Sequence, residues 1–187
     1  GSYLEKIKKN KIDNLILEAS SHGLKQHRLD GLEFKIGIFT NLSHDHLDYH
    51  KDYNEYFKSK LYLFEKLIKK KGNIITDANI PQSKKIKNIS LKKNINLSLI
   101  FNKEKGIEMI SHKFENEKQI LKIGFKNKNY NFKLNLIGKI QIKNILMAIL
   151  AANKSGIKID KIINVLHKIK PVEGRLEKIG NIKNNSR

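Results

Sequence analysis

The chain has 187 residues, enough for one ordinary domain with a real core. It is 39% hydrophobic, has no cysteine and has no apolar run near the length of a membrane span, which excludes a spanning helix, a thiol nucleophile and a cysteine zinc knuckle. The net charge of +20 suggests a nucleic-acid partner, yet 35 of the 38 basic residues are lysines scattered among asparagine and isoleucine, a coding bias rather than a patch.

Sequence-reading proteins lean on arginine, and only Arg28, Arg175 and Arg187 are present. The expectation is salt-sensitive stickiness to polyanions, with no specific nucleic acid and no membrane as partner. The first dozen residues are charged and unlike a signal peptide, so the expected compartment is the cytoplasm. Gly1-Ser2 reads equally as a tag scar or as native sequence.

Leu4, Ile7 and Lys8 predict a short helix before a buried parallel strand at Asn14 to Leu17. A helix feeding a buried strand reads like an α/β chain entered midway. Ser20 to Arg28 is too polar for a strand and predicts a loop or single turn. Asp30-Gly31 is a turn signal, and Ile36 to Thr40 is the second parallel strand. In an open parallel sheet ligands collect beyond the carboxyl ends of strands, so Glu18-Ala-Ser-Ser and Asn41-Leu-Ser-His-Asp-His should face one crevice.

From Asp52, a plausible N-cap, a helical stripe runs through Tyr53, Tyr56, Phe57, Lys60, Leu61, Phe64, Leu67 and Ile68. Lys60 is anomalous on that apolar stripe. Ile74 to Thr76 predicts a strand, Pro81 to Asn88 a short helix with Pro81 in its first turn, and Leu97 to Phe101 a strand. Apolar segments from Ile107 to Leu136, broken at Lys126 to Asn129, predict an antiparallel hairpin. Ile140 to Asn153 predicts a helix burying Ile142, Ile145, Leu146, Ile149 and Leu150 and ending at Ser155-Gly156. A second helix capped by Asp160 runs to about His167, and Pro171 to Glu177 predicts a loop and strand start.

Five of the seven histidines, at positions 22, 27, 44, 46 and 50, lie with Glu18, Asp45, Asp48 and Lys60 in the stretch from Leu17 to Lys60. Such groups are costly to assemble unless they bind something, so this stretch reads as half of an active site. Glu18 serves either as a cation ligand or as a surface acid, because oxygen donors suit magnesium. Zinc is an alternative for His44, His46 and His50, but their spacing is irregular for one helix face. A partly buried lysine holds its proton less tightly, or else its stem snorkels to solvent.

The strings LEASSHGLKQHR at 17 to 28, FTNLSHDHLDYH at 39 to 50, Lys60 in YFKSK, GKIQIKNILMA at 138 to 148 and PVEGRLE at 171 to 177 together resemble the Mur ligases. Within them the likeness is to the MurE-type subfamily, which adds the third residue of the peptidoglycan stem peptide. It covers nearly the whole chain, weakly between about Lys84 and Asn135. The resemblance implies an α/β fold: a mostly parallel, P-loop-NTPase-like sheet flanked by helices, with a small antiparallel element.

It also implies an ATP-dependent carboxylate-amine ligase acting through an acyl phosphate, with Mg2+ as the metal. The partners implied are UDP-muramoyl-dipeptide and an amino acid, meso-diaminopimelate or lysine. By the same resemblance Glu18, His46 and a carbamylated Lys60 organise magnesium as catalytic groups. Ser20, Gln26 and Arg28 hold the muramoyl peptide, and Asn144 and Arg175 the nucleotide. Gln141 replaces the first asparagine of the family pattern G-x-x-N-x-x-N-x-x-x-A.

No G-x-x-x-x-G-K-[ST] phosphate loop occurs, although family members carry one upstream of the Glu18 position. The expectation is therefore a partial central domain over residues 1–180, with 181–187 a frayed tail or linker and the piece alone inactive. The rivals are another superfamily member, such as a folylpolyglutamate-type ligase, and a non-catalytic basic module that binds nucleic acid.

Overall fold

The structure, a computed structural model, describes residues 5–6, 9–42 and 49–172 of the chain. Its frame is a six-stranded sheet in the order β1 (Phe34–Ile38), β2 (Ile68–Asp77), β3 (Asn96–Ile100), β4 (Gly106–Glu115), β5 (Lys118–Phe125) and β6 (Lys128–Leu134). The pairs from β1 to β4 are parallel, and β4 to β6 form an antiparallel meander. Spatial order follows chain order because each strand is joined to its neighbour by a helix or a short turn.

Two apolar layers sandwich the parallel part. On one face α1 (Ser21–Lys25), α2 (Tyr53–Tyr62, continued by a π-helical turn Leu63–Leu67) and α3 (Ser83–Lys93) enclose Leu24, Phe39, Phe64, Ile74 and Ile86. On the other face α4 (Lys139–Lys154) and α5 (Ile159–Val165) cover Ile75, Ile100, Ile107 and Ile123. Ile74 and Ile75 are adjacent, fully buried and on opposite faces, which is why this strand reads as a continuous apolar run. Asp52 caps α2 by accepting the Glu55 N–H at 2.8 Å. The five residues predicted for the buried face of α4 are all buried.

Four readings need correction. Asn14 to Leu17 is not a strand: the segment makes no ladder, and Leu15, Ile16 and Leu17 are 46%, 95% and 42% exposed. An apolar run is a buried strand only where neighbours cover it, and among the described residues β1 is the edge of the sheet, paired with β2 alone. The second strand is shifted two residues toward the N-terminus of the predicted span. The helix after Pro81 starts at Ser83 and runs to Lys93, leaving Pro81 in the preceding turn. Asp160 lies inside the first turn of α5, and the N-cap is Lys158.

The antiparallel meander has two tight turns, not one. Asn116-Glu117 and Lys126-Asn127 are two-residue loops in which both residues have positive φ, between 46° and 63°, the backbone that such hairpins require. Between β3 and β4 the chain doubles back within five residues, 101–105, and still pairs in parallel, Leu99 with Gly106 and Ile100 with Ile107.

Candidate functional site

The site is built where the carboxyl ends of β1 and β2 meet α1 and α2. The Phe39 N–H extends the β1 ladder to the Ile75 carbonyl at 2.9 Å, and the buried Thr76 hydroxyl donates back to the Phe39 carbonyl at 3.1 Å. This double tie fixes the point at which the chain leaves the sheet toward Asn41.

Lys60 reaches that point from α2. Its ammonium donates to the Asn41 carbonyl at 3.3 Å and lies 5.1 Å from the centre of the Tyr56 ring. Burial pushes the Lys60 pKa below the ordinary lysine value, while the carboxylate of Glu18 pulls it part of the way back. Glu18 is within range for its charge to act on Lys60, although it sits on an exposed, strandless segment rather than at a strand end.

Ser20 caps α1, its Oγ accepting the Gly23 N–H at 3.1 Å. The turn that follows is clasped by the residues just before α2. His50 Nε2 is 2.9 Å from Ser21 Oγ, and His22 stacks on Tyr49. Gln26 Nε2 donates to the Tyr49 hydroxyl at 3.3 Å, and Lys25 pairs with Glu55 at 2.9 Å. That hydrogen bond from Lys25 is the main reason the Glu55 carboxyl stays below its ordinary range. Arg28 is exposed, with its stem passing Gly23. His27, Asp30 and Tyr62 close a further triangle, in which the Tyr62 hydroxyl donates to Asp30 at 2.9 Å and lies 2.9 Å from His27 Nδ1. Burial and then Asp30 push the Tyr62 pKa up.

Asn144 is exposed on α4, on the opposite face of the sheet but at the same rim. Its neighbour Lys143 makes a 2.7 Å ion pair with Asp77, the last residue of β2. Gln141 is half-buried in the first turn of α4. His44, His46 and Arg175 lie outside the described residues. Among the described residues no group of three or more His, Cys, Asp or Glu side chains could hold a metal ion. As an ammonium, Lys60 also opposes a cation beside Glu18; carbamylation would replace that positive charge with a pair of oxygen donors. So modified, Lys60 would offer, with Glu18, the kind of oxygen donors that a hard cation takes.

Residues 2–152 match the family described as Mur ligase middle domain. The chain belongs to the Mur ligase family.

A UDP-N-acetylmuramoyl-L-alanyl-D-glutamate--2,6-diaminopimelate ligase of Rickettsia bellii is 37% identical over 174 residues, 93% of this chain and 36% of that protein. The ligase of the same name from Zymomonas mobilis is 35% identical over 167 residues, 89% of this chain and 34% of the relative. This Mur ligase chain therefore spans about a third of the length of the curated relatives it matches. A solved structure of a ligase of that name aligns with a TM-score of 0.76 at 22% identity, covering 89% of this chain and 34% of its own. A MurF ligase from Thermotoga maritima in complex with ADP aligns at 0.65 and 14% identity, over 82% and 34%. These two likenesses concern the fold, and the six-stranded mixed sheet with flanking helices agrees with them.

The sequence missed Asp77, Lys143, Tyr49 and Tyr62 as parts of this rim. Asp77 carried a signal, an acid directly after Ile-Ile-Thr at a strand's carboxyl end, but it read equally well as a turn residue. No helix is long and apolar enough to cross a membrane among the described residues.

Proposed function

We propose that this chain is the central part of an ATP-dependent ligase that joins an amino acid, diaminopimelate as in the named relatives, to UDP-N-acetylmuramoyl-L-alanyl-D-glutamate. The observation that carries the reading is Lys60, held half-buried on the Asn41 carbonyl at the carboxyl rim of the sheet, within range of the Glu18 charge. A lysine in that setting, within a Mur ligase domain, is poised for carbamylation, and the relatives from Rickettsia bellii and Zymomonas mobilis are named as UDP-N-acetylmuramoyl-L-alanyl-D-glutamate--2,6-diaminopimelate ligases.

The reaction has two steps. The D-glutamyl carboxylate attacks the γ-phosphorus of ATP, giving an acyl phosphate and ADP. The amino group of the incoming amino acid then attacks the carbonyl carbon; the C–O bond to phosphate breaks, phosphate leaves with the electron pair, and the amine gives up a proton. Bound Mg2+ would neutralise charge on the phosphoryl oxygens. Glu18, His46 and the carbamate of Lys60 would hold it. Arg28 and Gln26 present a guanidinium and an amide at the open side of α1, suited to the diphosphate and peptide carboxylates. Ser20 spends an oxygen lone pair on capping α1 but keeps its hydroxyl proton to donate. Asn144 and Arg175 would contact the nucleotide. Phosphoryl transfer of this kind depends on positioning and charge stabilisation.

Calorimetric titration of the chain with UDP-muramoyl-dipeptide, and separately with folate, tests the substrate class. Binding of the muramoyl peptide that weakens in Arg28→Ala and Gln26→Ala is expected. Binding of folate in its place would overturn the reading in favour of a folylpolyglutamate-type ligase.

A further inference from the structure

α4 begins without a local cap. Its N-cap is Gly138 at φ 89°, which has no side chain to offer, so tertiary contacts must set where the helix starts and how it is rotated. Two buried polar groups from separate parts of the sheet supply them. Gln119 on β5 is only 2% exposed; its amide nitrogen donates to the Leu136 carbonyl at 2.8 Å and the Gly138 carbonyl at 3.3 Å. Its amide oxygen lies 2.8 Å from His112 Nε2 on β4, which keeps the amide from flipping.

One turn into the helix, Lys143 reaches Asp77 at the end of β2. Asp77 is fully buried, with one carboxylate oxygen accepting the Asn79 N–H at 2.8 Å and the other 2.7 Å from the ammonium. Lys143 also lies 6.0 Å from the centre of the Phe101 ring at the end of β3. Only the Asp77 side of the pair is buried, the Lys143 side chain being 39% exposed, and taking a carboxylate out of water is an inefficient way to gain stability. The pair is an effective way to fix geometry, because its length and direction are set by charge and hydrogen bonds.

We infer that Gln119 and the Asp77–Lys143 pair are positioning residues that lock the first two turns of α4, and with them Asn144, against the carboxyl rim of the sheet. One anchor holds the entry of the helix and stops it sliding; the other, a turn later, stops it rotating about its axis. Asn144 follows Lys143 directly and faces outward, so its amide is aimed by that second anchor. This gives the antiparallel meander a role as the strut that carries Gln119 to the helix. The inference rests on the reading that α4 contacts the nucleotide, and a misplacement of about 1 Å at such a group is costly to binding and rate.

The test compares wild type with Gln119→Met, with the double variant Asp77→Asn/Lys143→Met, which strands no buried charge, and with Lys143→Arg, which keeps the cation. Amide hydrogen exchange is followed over residues 140–146, with β2 and β3 as reference, and ADP affinity is measured by NMR titration. Exchange at 140–146 is expected to rise at least tenfold in Gln119→Met and in the double variant with the reference strands unchanged, ADP to bind about threefold to tenfold more weakly, and Lys143→Arg to restore both. Unchanged exchange at 140–146 in those two variants overturns the lock, as does, where wild type binds ADP measurably, a faster exchange that leaves that affinity unaltered. A wild-type chain that ignores ADP while its variants loosen at 140–146 sinks the nucleotide reading alone and leaves the mechanical lock standing.

Discussion

His50 Nε2 lies 2.9 Å from the hydroxyl of Ser21, in a contact where both side chains are buried. It closes the gap between two polar strings that are 29 residues apart, and the His50 ring also stacks on Tyr56 of α2 at 5.0 Å. The turn carrying Ser20, Gln26 and Arg28 is thereby fixed to the helix carrying Lys60. His50→Ala should cost about 2–3 kcal/mol, from the lost ring packing and the stranded hydroxyl. Ser21→Ala should cost about 1 kcal/mol. In a urea-unfolding double-mutant cycle the two should couple by about 0.5–1.5 kcal/mol; strict additivity would mean that the contact does not form in solution.

Gly106 shows how closely β3 and β4 approach. A Cβ built there would overlap the Leu99 carbonyl oxygen and lie 3.0 Å from the Leu99 carbonyl carbon and amide nitrogen. These are backbone atoms of a paired strand and cannot swing aside. Gly106→Ala should therefore destabilise by about 1–3 kcal/mol, visible as a lower urea midpoint, although alanine normally gains stability over glycine in a strand. Gly31→Ala is the contrast: that position has open space around it, and only its φ of 84° resists the change.

The elements buried on both sides were legible in the sequence because their apolar runs or 3.6-residue stripes admit one reading. Ile74 to Thr76 and the five buried positions of α4 are of this kind. Asn14 to Leu17 has the same composition as a buried strand, and what it lacks, a covering neighbour, is not a property of those four residues. Lys60 was legible as an exception on an apolar stripe. Asp77–Lys143 was not, because neither partner breaks a local pattern and 66 residues of chain separate them. Tyr62 and Asp30 escaped for the same reason.

The lysines at the far end of the sheet give a prediction about charge. In the β1–β2 register Phe34 pairs with Ile68 and Ile36 with Asn73, so Lys69, Lys70, Lys71 and Gly72 bulge out opposite Lys35. The bulge is held rigid: Asn96 donates to the Lys71 and Gly72 carbonyls at 3.0 and 3.1 Å, and Lys71 has a φ of 60°. Three exposed lysines on such a knuckle should bind heparin at low salt and release it steeply as salt rises. Replacing all three by glutamine should lower the eluting salt concentration. Sequence-selective binding of a nucleic acid that survives physiological salt would instead favour a nucleic-acid role.

Lys60 carries the most direct chemical prediction. Because burial lowers its pKa in the folded protein, the native state loses this proton before the unfolded state does as pH rises. The charged form therefore costs stability at neutral pH, and the cost is relieved as pH climbs from the folded pKa toward the ordinary lysine value. Lys60→Met should be more stable than wild type near neutrality, with that gap closing as pH rises, read as converging urea midpoints.

The same neutral amine can attack the carbon of dissolved CO2, forming an N-carboxylate and releasing one proton. With 13C-labelled bicarbonate, NMR should show one protein-bound carbamate, absent in Lys60→Arg because a guanidinium keeps its proton. Glu18→Gln should increase the carbamate when no divalent cation is present, since it removes both the charge that favours the ammonium and the one that repels the product. A carbamate signal that persists in Lys60→Arg, or that falls in Glu18→Gln under those conditions, would mean that the burial of Lys60 serves packing rather than this modification.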